Sequence, residues 1–175
     1  MGDILELLTA IGSIATPIFV LVLTGIGWLL KSTIDRKTDI ENKLRDNRIE
    51  IYNEIIEPFV ILLTPQAAWD ADPKNRNKNK DQIFAQKYLS QDYRKNAFKL
   101  ALIANDDVVE AYNNLCQFTY AMEKIDLEKR TKMMIQRLGG FLLEIRKSMG
   151  NKATRLDRWQ VLEWFLKDID NFKNA

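Results

Sequence analysis

The feature that most constrains this chain is a run of 24 residues, Leu7 to Leu30, without a single charged side chain. As a helix the run would be about 36 Å long, enough to cross a hydrocarbon core of about 30 Å with some tilt. A buried hairpin of a soluble protein is the weaker alternative, because such helices rarely stay uncharged on every face for so long. Asp3 and Glu6 precede the run, and this acidic start argues against a cleaved signal peptide. The sequence therefore predicts a transmembrane helix over residues 7–30.

The flanks of this run predict its orientation. Lys31, Arg36 and Lys37 follow it, whereas no Lys or Arg precedes it. The positive-inside rule then puts residues 1–6 outside the cell and the C-terminal part in the cytoplasm. The Lys- and Asn-rich composition is compatible with a bacterial source, so we expect a single-pass protein of the bacterial inner (cell) membrane.

Small and hydroxylic residues recur along one side of the predicted transmembrane helix with a period of 3.5 residues. The positions are Thr9, Ser13, Thr16, Val20, Thr24 and Gly27. Small residues let membrane helices approach closely, so this packing face indicates a homo-oligomer, with a Thr- and Ser-lined pore as a more specific form. Alternatively, the hydroxyls bond back to their own helix and the stripe is accidental. Pro17 is expected to kink the helix.

The remaining residues predict an all-α fold, an antiparallel helical bundle in the cytoplasm that continues from the membrane helix. The seven glycines of the whole chain leave few hairpin turns, and no β-type alternation stands out. Pro58 should bend or break the stalk helix and Pro65 should end it. The predicted segments are a stalk helix at 31–63, a polar loop at 64–80, and further helices over 81–175, placed at about 81–104, 105–124, 127–149 and 154–172.

Recurring apolar residues predict which faces of these helices are buried. For the helix at 81–104 they are Phe84, Tyr88, Ala97, Phe98, Ala101 and Leu102, and for the last helix Trp159, Leu162, Phe165, Leu166 and Ile169. Gly139 and Gly140 lie inside the helix at 127–149, where they allow close packing, a kink or a break. Gly150 is placed to end that helix.

The residue inventory argues against catalysis. The chain has no His and one Cys, so the usual catalytic triads, His-containing metal sites and disulfide frameworks are excluded. It also lacks the glycine-rich phosphate-binding motifs. The formal charge of +2 gives no reason to expect specific nucleic-acid binding. We therefore expect no enzyme activity, cofactor or metal, and interpret Cys116 as a small buried hydrophobic residue.

Two groups of polar residues are candidate sites for an anion or a protein partner. Arg45, Arg48 and Tyr52 share one face of the stalk helix, at spacings of three and four. Their alternative role is local, with Arg48 paired to Glu50 or Asp46 and Tyr52 packed in the core.

The second group lies at a helix end, where Arg146, Lys147 and Lys152 surround Gly150. Cations at a helix C-terminus are also the ordinary arrangement with respect to the helix dipole. A further cationic stretch in the 64–80 loop is either an anion- or lipid-binding patch or a solvated loop. Its cations are Lys74, Arg76, Lys78 and Lys80.

Two short segments carry a resemblance. The stretch from Ile145 to Lys152, IRKSMGNK, followed by a Trp-rich amphipathic segment, resembles the C-terminus of a group of small, largely uncharacterised bacterial inner-membrane proteins. The stretch from Arg48 to Ile55, with its R-x-x-x-Y-x-x-I pattern, is similar to a segment after the membrane helix in the same group. The resemblance implies one N-terminal transmembrane helix and a helical cytoplasmic domain, and it implies no activity.

Two function classes remain. The first is a non-enzymatic membrane protein whose cytoplasmic domain mediates protein–protein interaction or self-assembly. Membrane-anchored helical proteins of similar layout occur as effectors of antiphage defence, so a defence-type membrane effector is the more specific form of this hypothesis. The second is a membrane-anchored sensor that binds a small anionic ligand such as a nucleotide.

Overall fold

In the computed structural model the described residues form six helices and no strand, so the fold is all-α. The structure describes the backbone of residues 2–121, 125–166, 169 and 173, and the side chains of these residues except 3–17. The helices are α1 (Gly2–Leu63), α2 (Gln66–Ala71), α3 (Lys80–Tyr88), α4 (Gln91–Ile103), α5 (Asp106–Ala121) and α6 (Leu127–Ser148).

The chain divides into two compact units, Met1–Leu44 and Arg45–Ala175, and the division falls within α1. In the first unit every described side chain from Ile18 to Leu44 is exposed, including the large apolar ones. The second unit contains the hydrophobic core, and we call it the helical domain. The core is one cluster whose least exposed members are Ile55, Phe59, Leu100, Val108, Leu115, Leu138, Phe141 and Leu162.

Pro58 does not break α1, although the sequence allowed a break there. The helix continues to Leu63 and ends before Pro65, as expected. Pro58 itself is fully buried, and the next residue, Phe59, packs edge-on against Tyr88 with ring centroids 5.9 Å apart. A proline in a helix removes one backbone hydrogen bond. Here the packing around Pro58 and Phe59 holds the helix together across that missing bond.

The predicted helix at 81–104 is two helices. Ser90 interrupts it, and its hydroxyl accepts a hydrogen bond of 3.1 Å from the backbone N–H of Tyr93. Serine in this position satisfies one of the free donors at a helix start, so it begins α4 where a continuous helix was expected. Asn79 caps α3 in the same way, through a 3.0 Å bond from the N–H of Gln82.

The predicted 64–80 loop contains the short helix α2 and is held by one hydrogen bond within the loop and by a contact with the end of α1. The indole of Trp69 is buried and donates to the carbonyl of Lys78 at 3.0 Å. The ammonium of Lys80 donates to the carbonyls of Leu62 and Thr64, at 3.4 and 2.9 Å. Lys80 therefore caps the C-terminus of α1, whereas Lys74, Arg76 and Lys78 are exposed.

Helix α6 matches its predicted bounds closely. Asp126 accepts from the N–H of Glu128 and begins the helix, and Gly150 follows its end with φ of 105°, a conformation that favours glycine. Of the three roles open to Gly139, the structure shows close packing. A Cβ at Gly139 would overlap the carbonyl oxygen of Arg158, while a Cβ at Gly140 would meet nothing within 4 Å.

The last predicted helix, at 154–172, is not helical over residues 154–166. Residues 158–165 form consecutive turns. Asp157 begins them by accepting 2.8 Å hydrogen bonds from the backbone N–H groups of Trp159 and Gln160, and such bonds lower the pKa of its carboxyl group. These turns bring the backbone of Arg158 onto Gly139 and bury Leu162 completely.

Candidate interaction surface

An open groove of about 460 Å³ runs between α4 and α5. Its rim carries three large side chains that are mostly exposed: Leu89 at 64%, Phe98 at 76% and Tyr120 at 75%. Leu102, which is 83% exposed, does not line this groove. Large apolar side chains grouped at one exposed site are typical of surfaces that bind another molecule. We call this feature the α4–α5 groove.

The groove follows from the way apolar residues are distributed around α4. Tyr93, Ala97 and Leu100 form one stripe, and this stripe faces the core. Phe98, Ala101 and Leu102 form a second stripe, and the sequence pattern predicted these three as buried together with Ala97, without Tyr93 or Leu100. That expectation was wrong, because the structure exposes all three. The signal was present in the sequence, since five of the six residues from 97 to 102 are apolar and a single buried stripe does not need so many.

The floor of the groove is aromatic and hydrogen-bonded. Tyr112 donates to Tyr93 through their hydroxyls at 3.4 Å, and the hydroxyls of Tyr88 and Thr119 are 3.1 Å apart. Burial raises the pKa of Tyr88 to about 12 and raises the pKa values of Tyr93 and Tyr112 as well. These phenols are therefore neutral donors and acceptors at physiological pH and supply no general base.

Cys116 is half-buried in the same floor, on the apolar face of α5, as the sequence predicted. Burial raises the pKa of its thiol. Because the thiolate is the reactive form, we expect Cys116 in the native protein to be alkylated at least tenfold more slowly than free cysteine at pH 8. Maleimide labelling followed by mass spectrometry tests this. A rate equal to that of the denatured protein would contradict a half-buried thiol with a raised pKa.

Arg94 is the one charged residue among the described residues that line the groove. It is exposed and forms no ion pair with any described side chain. Lys95, the next residue, pairs instead with Asp92 at 3.2 Å. The groove therefore offers a large apolar surface with one positive charge at its edge.

The first predicted polar site is largely engaged in contacts within the helical domain. The guanidinium of Arg48 donates from Nε to the carbonyl of Ile103 at 2.6 Å, at the end of α4, rather than to Glu50 or Asp46. Tyr52 is buried, with 3% of its surface exposed. Its hydroxyl lies 3.2 Å from that of Ser148. Arg45 is exposed, with Asp46 at 3.9 Å.

The hydrogen bond between Tyr52 and Ser148 brings together the two segments that carried the resemblance. The predicted cations of the second segment have different surroundings. Lys147 pairs with Glu144 at 2.6 Å, the exposed Arg146 donates to the hydroxyl of Thr154 at 3.2 Å, and Lys152 is exposed. Their role in anion or partner binding stays a prediction.

The predicted membrane packing face is described only in part, since the side chains of Thr9, Ser13 and Thr16 lie outside the described residues. Val20, Thr24 and Gly27 are exposed. The Thr24 hydroxyl donates to the carbonyl of Val20 at 2.7 Å, which is the local bond that we gave as the alternative to a contact between helices.

The described chain contains one helix that is long and apolar enough to cross a membrane, near its N-terminus. No family model matches the chain, and no curated protein or solved structure matches it significantly.

Proposed function

We propose that this is a single-pass membrane protein whose α1 anchors a helical interaction domain. The observation that carries the proposal is the exposure of the large apolar side chains between Ile18 and Leu30, from 49% for Ile26 to 72% for Leu21. Such a surface is unfavourable in water and suits a hydrocarbon environment, where a helix also satisfies its own backbone. The positive-inside rule then places the helical domain, as an antiparallel bundle, in the cytoplasm of a bacterial cell and residues 1–6 outside.

The helical domain binds a protein partner through the α4–α5 groove. The occupant is an amphipathic helix, which would lay apolar side chains between Phe98 and Tyr120 and place an acidic residue opposite Arg94. Charge complementarity favours the acidic residue, because Arg94 has no ion-pair partner among the described side chains. The protein acts by binding and assembly rather than by catalysis.

The test places a photo-crosslinking phenylalanine analogue at position 98 of the full chain in native membranes. We expect an adduct of one defined mass, reduced at least tenfold by Arg94→Glu, since this change would set two negative charges against each other. The matched control is Lys95→Glu, because Lys95 lies beside Arg94 but does not line the groove.

Equal crosslinking in the Arg94→Glu and Lys95→Glu variants would overturn the assignment of this groove. An adduct of twice the chain mass would show that a second copy occupies it and would overturn the heterologous partner. Membrane anchoring is scored in the same samples by washing them with alkaline carbonate, which removes peripheral proteins. Loss of the protein in this wash would overturn the anchor.

A defence-type effector is the more specific form of this function. Partner binding to the helical domain would then cluster the anchors and perturb the membrane. The expected result is growth arrest and ion flux on overexpression of the intact chain, both lost in the Arg94→Glu variant. If neither effect occurs under conditions in which the groove binds its partner, the effector hypothesis is rejected and the protein only anchors its partner to the membrane.

A sensor of a small anionic ligand is the second candidate function. The hydrogen bond between Tyr52 and Ser148 favours it, because these residues belong to the two sequence segments that carry the predicted anion-binding cations. Calorimetry of the detergent-solubilised full chain with ATP tests this candidate. Heat that disappears in an Arg45→Ala, Lys152→Ala double variant would support it, and the absence of heat and of a thermal shift would reject it for this nucleotide.

A further inference from the structure

The part of α1 that follows the apolar run has an amphipathic surface that its own chain leaves uncovered. Within residues 31–44, which we call the stalk, every side chain is exposed. The stalk contains three large apolar residues, Ile34, Ile40 and Leu44, which are 62%, 49% and 39% exposed. Helix propensity alone gives a segment of this length little stability. Burial of its apolar face against another helix would therefore stabilise the stalk strongly.

Two of the three large apolar residues of the stalk, Ile40 and Leu44, continue a heptad that begins at Ile26 and Leu30 in the apolar run. With Leu30 and Leu44 at position a and Ile26 and Ile40 at position d, Ile34 falls at the flanking position e. The outward positions b, c and f hold only polar residues: Lys31, Ser32, Asp35, Thr38, Asp39 and Asn42. The stalk therefore has one apolar side and one polar side, as a coiled-coil helix does.

We infer that the stalk pairs with the stalk of a second copy of this chain, as a parallel coiled coil in register. This inference rests on the proposed membrane anchor, because anchors inserted in one direction force the copies to be parallel and at equal depth. Charge complementarity supports the same register. In a parallel arrangement Arg36 at position g faces Glu41 at position e of the second copy, an attractive pair.

The residues at the a and d positions, which form the seam between the two helices, make the association weak. Of the four a and d positions within the stalk, Ile40 and Leu44 are apolar, whereas Thr33 and Lys37 are polar. The charge of Lys37 at an a position weakens the contact between the helices. Association then depends on the high effective concentration that anchors in one membrane provide. Such a stalk responds to clustering of the anchors instead of holding the chains together permanently.

The test is disulfide crosslinking of the full chain in native membranes, with Cys116→Ser as background. Thr33→Cys lies at seam position d and Ser32→Cys, its neighbour, at the outward position c. We expect Thr33→Cys to crosslink at least tenfold faster than Ser32→Cys. Adding Ile40→Asp should lower the Thr33→Cys rate tenfold, whereas adding Asn42→Asp on the outer face should leave it unchanged. Adding Lys37→Leu should raise it.

A charge exchange tests the register. Arg36→Glu should slow crosslinking at Thr33→Cys, and Glu41→Arg in the same chain should restore it. Equal rates at positions 32 and 33, or no crosslink even with Lys37→Leu, would overturn the coiled coil. All of these substitutions lie within residues 31–44, so they leave the residues of the predicted membrane packing face, among them Val20, Thr24 and Gly27, unchanged. Carbonate washing distinguishes a failure of the coiled coil from a failure of the membrane anchor. If the protein stays in the membrane but does not crosslink, only the coiled coil is refuted.

Discussion

Gly139→Ala is expected to lower the free energy of unfolding by about 3 kcal/mol, at the upper end of the usual cost of overpacking. The reason is that a Cβ at this position overlaps the carbonyl oxygen of Arg158, which is backbone and cannot rotate away. The added methyl must push the 158–165 turns off α6 and expose Leu162, which is now completely buried. Chemical denaturation of the detergent-solubilised full chain measures the change.

Gly140→Ala is the matched control for this substitution. It lies one residue further along the same helix, where a Cβ meets nothing within 4 Å. Since Ala favours the helix over Gly by about 1 kcal/mol, this variant should be more stable than the parent. If both substitutions destabilised the protein equally, the loss of unfolding free energy in Gly139→Ala would come from the change within the helix and not from the contact with Arg158.

Phe141→Ala is expected to cost about 3–5 kcal/mol, because it removes a fully buried ring from the core. Phe141 lies on α6 with none of its surface exposed, and its ring packs against Tyr112 of α5 at 5.4 Å between centroids. Phe98→Ala makes the same chemical change on the rim of the α4–α5 groove. Because Phe98 is 76% exposed, its truncation should change stability by no more than about 0.5 kcal/mol.

Comparing the Phe141→Ala and Phe98→Ala variants also distinguishes an effect on folding from an effect on partner binding. Denaturation curves of both variants give the stability difference, and photo-crosslinking from position 120 in the rim gives occupancy of the groove. We expect Phe98→Ala to fold normally and to lose most of the adduct. A large loss of stability in Phe98→Ala would mean that the ring is part of the core, and would remove the reason for assigning it to a partner.

The sequence predicted the helical elements best where local signals and core packing agree. Asp126 and Gly150 mark the ends of α6, and the structure places the helix between them. Asp106 begins α5 directly after Asn105, as expected. These boundaries depend on residues within one turn of the helix ends, so the local sequence contains the information.

The elements that sequence reasoning missed depend on contacts between distant residues. The segment around Trp159 and Leu162 has helical spacing, but Gly139 lets its backbone approach α6 so closely that turns are formed instead. Arg48 caps the carbonyl of Ile103, which is 55 residues away, and no local pattern names that partner. The α4–α5 groove was missed for the same reason, because only the packing of α4 decides which of its two apolar stripes is buried.

The central claim is that α1 crosses a membrane once and places the helical domain in the cytoplasm. Labelling intact cells with a membrane-impermeant maleimide tests it most directly, with single cysteines introduced in a Cys116→Ser chain. The two positions are Asp3→Cys, before the apolar run, and Arg76→Cys, at an exposed site of the helical domain. We expect labelling at position 3 in intact cells and at position 76 only after lysis. Labelling at position 76 in intact cells, or at neither position before lysis, would contradict it.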